Sequence, residues 1–406
     1  MIGSIINAPL QKYERLVLSC KCGEKHSLSV KQFIILNDTS NGVNFYIKKF
    51  GTNAHFILDE HVKNLYAKNF LSKISKKIRS THSTLSRASY SKCVEIAVKI
   101  KKDTDVLVAV GGDSVCQAAK FIANECGLPL IFVFVLPDGD DLLSARSILL
   151  DGNIKRTFSG KTPEIVFGDL SMTAGITESE MDSAISLIGR NLLLCLEAEF
   201  NSIASGRYLC QTLNSTIIAA AKTGFSASKE NNKKTKIEKL IISLLKISAA
   251  KALDNNNSYN TSFVGLSNLL QTKVKISDGQ MASVIFEITT QLFREYLRNF
   301  KVLSVPPSSL DADTILEDVF NIQSASPRIV PYDLDCIEAN VEQLIAQIDI
   351  ILKVTPLVSS SLEDKKIIKK EDFGDALFCV SSAYGNLGLI RYAFESGLIT
   401  RQKVCI

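Results

Sequence analysis

The chain has 406 residues, of which 46% are hydrophobic and 22% charged, the profile of a globular protein with room for two or three domains. Its net charge of +5, with lysines thinly spread outside Lys229–Lys239, argues against a nucleic-acid partner. No apolar run reaches membrane-spanning length, no signal-peptide pattern opens the chain, and the ten scattered cysteines read as free thiols in a reducing compartment, so a cytoplasmic location is expected.

In chain order, the first local feature is "CKCGEKH", with Cys20, Cys22 and His26. Cys-x-Cys with one histidine is half a zinc site at most, and the stretch reads as a short turn between two strands. "VNFYIKKF" (43–50) and "AHFILDEH" (54–61) read as strands, and so do "DVLVAV" (105–110) and "LPLIFVFVLP" (128–137). The last is a continuous apolar run of the kind buried on both faces of a parallel sheet. Helices are predicted between them over 62–77 and 91–102. That alternation predicts a parallel sheet with helices on its faces over residues 1–172.

Beyond Met172 the pattern becomes helical. "TESE" at Thr177–Glu180 is a capping-box pattern that opens a long helix. Further helices are predicted near 207–223, 237–253, 261–272 and 278–299, with "SASKENNKKTK" (226–236) as a flexible loop. Residues 173–406 are therefore expected to form an all-α domain, with a cleft between the two domains as the place for a small-molecule ligand. "LEDKKIIKKEDFGD" (362–375) reads as a solvated charged segment between helices.

The stretch "VLVAVGGDSVCQAAKFIA" (106–123) carries the strongest chemical signal. A buried strand meets Gly111 and Gly112, and a helix follows whose Val115, Ala118, Ala119, Ile122 and Ala123 share one face. Such a turn lets an anion approach backbone amides at a helix N-terminus, with Ser114 placed to cap the helix or bond a phosphate. Asp113 stands in that turn. A carboxylate roughly 5 Å from a phosphate costs on the order of 3 kcal/mol at an effective dielectric of about 20. The alternative role for Asp113 is to cap its own helix.

Taken together, "VAVGGDSVCQAAK", "PEIVFGDLSM", "GRNLLLCLEAEF", "GLSNLL" and "ISDGQMASVI", in this order, resemble the iron-containing alcohol dehydrogenase family. That family includes glycerol dehydrogenase and, more distantly, dehydroquinate synthase. The resemblance covers roughly residues 45–300. It implies a dehydroquinate synthase-like fold: an α/β dinucleotide-binding-like domain with a parallel sheet, then an all-helical domain carrying the metal.

The resemblance also implies where NAD or NADP would sit. The pyrophosphate falls on Gly111, Gly112 and Ser114, with Asp113 at the third family glycine and Gln117 at the family aspartate. The adenosine ribose falls on Asp59, for which a helix N-cap is the competing role. The next cofactor loop spans "PDGDDLLSA", where Pro137 and Ser144 match the family and Asp138, Asp140 and Asp141 oppose a dinucleotide unless a cation sits among them. If an anion bound, Lys120 or Arg146 would be nearest. The family's metal ligands, one Asp and three His, fall on Asn191, Cys195, Asn268 and Asp278. All four histidines of the chain, His26, His55, His61 and His82, lie in its first third. A divalent metal at those positions is therefore not expected.

Three functions follow. One is NAD(P)-dependent alcohol or aldehyde oxidoreduction with the metal ligands replaced and activity in doubt. Another is a family-derived binding or assembly protein without catalysis. The third is a metal-independent, carbocycle-forming relative of dehydroquinate synthase. By analogy, a homodimer through "VNFYIKKF" as a sheet edge is expected.

Overall fold

In the computed structural model the described residues are 20, 22–24, 26–63, 68–171, 175–299, 309–322, 332–356, 367–384 and 388–399. In chain order they form β1 (Gln32–Leu36), α1 (Ser40–Phe50), β2 (Asn53–Asp59), single helical turns at Glu60–Val62 and Lys68–Ser72, β3 (Arg79–Leu85), α2 (Tyr90–Lys99), β4 (Val106–Gly111) and α3 (Asp113–Cys126). There follow β5 (Leu130–Phe134), the hairpin β6 (Arg146–Asp151) and β7 (Ile154–Ser159), β8 (Ile165–Asp169), α4 (Glu178–Ser205), α5 (Gln211–Ser226), α6 (Lys233–Ala252), α7 (Ser262–Lys273) and α8 (Asp278–Arg298). The last helices are a short one at Ser309–Ile315, α9 (Leu334–Val354), α10 (Lys370–Tyr384) and α11 (Leu389–Glu395).

The chain divides into two compact units, 1–184 with 222–255, and 185–221 with 256–406. Helix α6 thus belongs to the first unit. Among the described residues no helix is long and apolar enough to cross a membrane.

The first unit is built on a six-stranded, all-parallel sheet in the order β1-β8-β5-β4-β2-β3. Every residue of β4, β5 and β8 is buried, because helices cover both faces of a parallel sheet. Phe56, Val108 and Ile131 lie across β2, β4 and β5 in register. The sequence of β3, "RSTHSTL", is polar, as suits an edge strand pairing on one side only.

Several expectations are corrected here. "VNFYIKKF" is a helix, α1, not a strand. Val43 and Ile47, four apart, are fully buried, while Phe45 is 56% exposed. Lys49 Nζ lies 4.5 Å from the Phe45 ring centroid and 4.8 Å from that of Tyr46, so a cation covers the aromatics that suggested a strand. This segment therefore offers no sheet edge for a dimer; the edges are β1 and β3. The helix expected over 62–77 is reduced to the turn at Lys68–Ser72, with residues 64–67 outside the described ones. "SASKENNKKTK" is not a loop: a 3₁₀ turn at Ala227–Lys229 is followed within four residues by α6, which Asn232 caps by accepting from the Thr235 amide at 3.1 Å. The charged segment 362–375 falls partly outside the described residues, and from Lys370 onward it is helical.

The capping box at Thr177 is present. The Thr177 amide donates to Glu180 Oε2 at 2.7 Å, and the Glu180 amide donates to Thr177 Oγ1 at 3.2 Å.

One buried residue of the sheet makes stability depend on pH. His55 on β2 lies between Thr81 and Ser83 of β3, with Nδ1 2.7 Å from Thr81 Oγ1 and Nε2 3.0 Å from Ser83 Oγ. Burial, and secondarily the charge of His82, lowers its pKa from 6.5 to about 4. The folded protein thus prefers the neutral imidazole. The stability this gives is complete above the unfolded value of 6.5 and is lost as pH falls through the folded value of about 4. In full it amounts to about 3 kcal/mol. Denaturant unfolding between pH 7 and pH 4 should show this loss, and His55→Gln should flatten the profile over that window. A variant with an unchanged profile would remove His55 as its source.

Candidate functional site

The carboxyl ends of the adjacent strands β2, β4 and β5 converge on the glycine turn, as ligand sites do in open α/β sheets. β2 ends in Asp59, β4 in Gly111, and β5 runs into the loop 135–145. Helix α3 starts at Asp113 with Gly112 as its N-cap and no side-chain cap from that residue. Its first amides face the place where an anion would bind.

That place is taken by the chain itself. The Asp113 amide donates to Asp138 Oδ1 at 2.7 Å. A Cβ at Gly112 would lie 2.0 Å from the same oxygen, so only glycine lets the carboxylate approach this closely. Asp113 is therefore not the cap of its helix, as one reading of the sequence had it. It occupies the first turn, and its Oδ1 accepts from Gln117 Nε2 at 2.9 Å. Asp138, from the neighbouring loop, does the capping. Burial and the nearby Asp113 push the Asp138 carboxyl well above the usual carboxylate range.

The other residues expected around a dinucleotide are also engaged. Asp59 is the N-cap of the turn Glu60–Val62, accepting from the amides of His61 at 2.9 Å and Val62 at 3.4 Å. Burial raises its pKa against those two bonds. Gln117 is buried; its Nε2 also donates to the Asp141 carbonyl at 3.1 Å, and its Oε1 accepts from the Ile148 amide at 3.0 Å. Pro137 is buried and Ser114 half-buried. Ser144 Oγ lies 3.4 Å from Lys120 Nζ.

The acidic loop does have cations among its carboxylates, and they are side chains of this chain. Lys120 is fully buried, and its Nζ donates to the Asp141 carbonyl at 2.8 Å. Lys251 of α6 lies 3.3 Å from Asp140, and Arg146 lies 3.8 Å from Asp141. Burial works to raise the Asp141 pKa, but Lys120, Lys251 and Arg146 together hold it below 3.8. Ser248, one turn before Lys251, accepts from the amides of Leu142 at 2.7 Å and Leu143 at 3.0 Å. Lys120 is thus bound to the loop. Sequence reasoning missed Ser248 and Lys251, since nothing local in α6 marks them as partners of a loop a hundred residues earlier.

Comparison with known proteins adds a family likeness. Residues 35–175 match the family described as iron-containing alcohol dehydrogenase. Over that segment the chain is similar to the iron-containing alcohol dehydrogenase family. It is 26% identical over 132 residues to glycerol dehydrogenase of Thermotoga maritima, covering 32% of this chain and 36% of that one. It is 25% identical over 166 residues to glycerol-1-phosphate dehydrogenase [NAD(P)+] of Bacillus licheniformis, covering 38% and 41%. The chain therefore matches less than half the length of these curated relatives. A crystal structure of an iron-containing alcohol dehydrogenase superposes with a TM-score of 0.61 at 14% identity, over 92% of this chain and 99% of that one. At that identity the likeness is one of fold, and it extends the family's architecture through the helical part.

The second unit holds the positions at which the iron-containing alcohol dehydrogenase resemblance puts the metal. Asn191 and Cys195 lie four apart on α4 and are buried. The Asn191 amide group donates back to the Leu187 carbonyl at 2.8 Å, a bond within its own helix. Asn268 is half-buried on α7. Asp278, the first residue of α8, accepts from Gln271 Nε2 at 2.9 Å and pairs with Arg190 Nη1 at 3.4 Å. Two carboxamides, one buried thiol and a carboxylate engaged by an arginine do not fit a site for iron, which needs imidazole and carboxylate donors. With no histidine in this unit, no step of chemistry is derived through a metal there.

Proposed function

We propose that this protein is a non-catalytic member of the iron-containing alcohol dehydrogenase family that keeps the fold for binding or assembly. The observation that carries this reading is the bond from the Asp113 amide to Asp138 Oδ1 at 2.7 Å, with Gly112 backing the same oxygen. A dinucleotide pyrophosphate would have to displace a capping carboxylate and then sit beside Asp113 and Asp138. The donor set at Asn191, Cys195, Asn268 and Asp278 supports the same reading, because a Lewis acid for an alkoxide oxygen has no histidine to hold it. A reducing, cytoplasmic setting belongs to this reading; none of the nine described cysteines forms a disulfide.

The test is a thermal-shift and calorimetric titration of the full chain with NAD and with NADP, each with and without Zn²⁺ or Fe²⁺. The expected result is no midpoint change with either dinucleotide up to millimolar concentration. A ligand present at a hundred times its Kd adds about 2.7 kcal/mol, so binding would be plain. A dinucleotide-dependent rise, or reduction of NAD(P) in the presence of glycerol, would overturn the proposal and restore the oxidoreductase.

A further inference from the structure

The turn at "CKCGEKH" gathers more than its spacing implies. Gly23 takes a left-handed backbone, φ +77°, and its amide donates to the Cys20 carbonyl at 3.4 Å. This tight turn brings the sulfurs of Cys20 and Cys22 and the His26 imidazole within 4.8 Å of one another. Cys22 Sγ lies 3.1 Å from His26 Nε2. A tetrahedral zinc with bonds of ~2.3 Å to sulfur and ~2.0 Å to nitrogen sets its ligand atoms about 3.5–3.8 Å apart, so the cluster is already near the required spacing. β1 follows the segment, and the strand expected before it lies outside the described residues.

Two surrounding bonds suit a metal. His26 is buried, and its Nδ1 lies 2.8 Å from the Leu253 carbonyl. That carbonyl can only accept, so Nδ1 carries the proton and Nε2 presents its lone pair toward Cys22. This is the orienting contact typical of metal-bound histidines. The Glu24 amide donates to Cys22 Sγ at 3.4 Å, which stabilises a thiolate. Thiolate and imidazole donors together select zinc over harder cations.

We propose that Cys20, Cys22 and His26 bind a structural zinc ion that fastens the N-terminal segment of the first unit to the end of α6, where Leu253 is the C-cap residue. On binding, the two thiols release their protons to solvent and their charges balance the dication. The proposal concerns residues far in sequence from the family's metal positions, and it stands whichever way the dinucleotide titration falls.

The experiment measures metal in the purified full chain by mass spectrometry, before and after chelation and reconstitution, then replaces zinc with cobalt(II). About one zinc per chain is expected, together with a sulfur-to-cobalt charge-transfer band whose intensity counts the bound thiolates. Cys22→Ser and His26→Gln should each lose the bound zinc, and Cys126→Ser, at the end of α3, should keep it. A chain that takes up no zinc on reconstitution, a cobalt spectrum without the sulfur band, or a Cys22→Ser protein that still holds one equivalent would overturn the proposal. If Cys22→Ser does not fold, the cobalt spectrum of the unmodified chain decides alone.

Discussion

Lys120→Met is expected to lower the free energy of unfolding by about 3–5 kcal/mol, the usual cost of removing one of two opposed buried charges. Lys120 is fully buried, it donates to the Asp141 carbonyl at 2.8 Å, and it is the first of three cations that hold the Asp141 carboxylate ionised. The methionine stem fills the volume, so packing is not the source of the loss. The variant leaves Asp141 with Arg146 at 3.8 Å and Lys251, and Lys251 is closer to Asp140. The pH dependence carries the signature. In the parent protein the Asp141 pKa is lowered, so its stabilisation is present above 3.8 and is lost as pH falls through the lower folded value. In the variant, burial is less opposed and the Asp141 pKa moves up. The deficit is therefore largest at neutral pH and shrinks on acidification. Denaturant unfolding at pH 7 and pH 5 measures both, and adding Asp141→Asn should restore part of the loss. A Lys120→Met protein within 1 kcal/mol of the parent, taken as about the error of such a measurement, would show that the other two cations suffice.

Glu197→Ala should cost a similar amount in the second unit, about 4 kcal/mol, with the opposite pH trend. Glu197 on α4 is fully buried. It accepts from the Ser262 hydroxyl, from the Phe263 amide at 3.0 Å and from the Leu389 amide at 3.1 Å. One carboxylate thus satisfies the N-terminal donors of α7 and α11, and it sits where both helix dipoles favour negative charge. Alanine would leave those buried donors without that acceptor, at about 1–3 kcal/mol each before relaxation. Burial raises the Glu197 pKa above 4.5 despite the donors. Its proton is therefore held more tightly in the folded state. That contribution is present in full below 4.5 and lost as pH rises through the folded value, so the deficit of the alanine variant grows on acidification. Hydrogen exchange at the Phe263 and Leu389 amides localises the effect. Unchanged protection there would place the energy of this residue elsewhere.

The sheet was legible where strands are buried on both faces. β4 and β5 are continuous apolar runs that announce themselves, and the helices with a single apolar face were found within a few residues. β1, β3, β6, β7 and β8 were missed, the last although every one of its residues is buried. β3 is an edge strand of Ser, Thr and His, and the hairpin strands are half solvated, so neither carries an apolar run. α1 was misread because its β-branched and aromatic composition outweighed a pattern in which Val43 and Ile47 alone are buried among the hydrophobic residues. At the glycine turn, sequence placed the acidic residues in the right neighbourhood but offered only Asp113 as a candidate for the capping. Which of several nearby carboxylates reaches an amide depends on the path of the loop 135–145, set in turn by Ser248 and Lys251 from α6, and no local pattern encodes that. The contact of His26 with the Leu253 carbonyl leaves no trace in the spacing of the two cysteines and the histidine near the start of the chain.

The carboxylate of Asp138 can be regarded as a tethered ligand. An anion free in solution stabilises the state it binds only to the extent of its concentration relative to its Kd. One carried on the same loop is supplied at a fixed effective concentration that dilution cannot lower. The Asp113 amide thus keeps its acceptor at any dilution. On the non-catalytic reading proposed above, such a chain would exchange responsiveness to a cofactor for constancy.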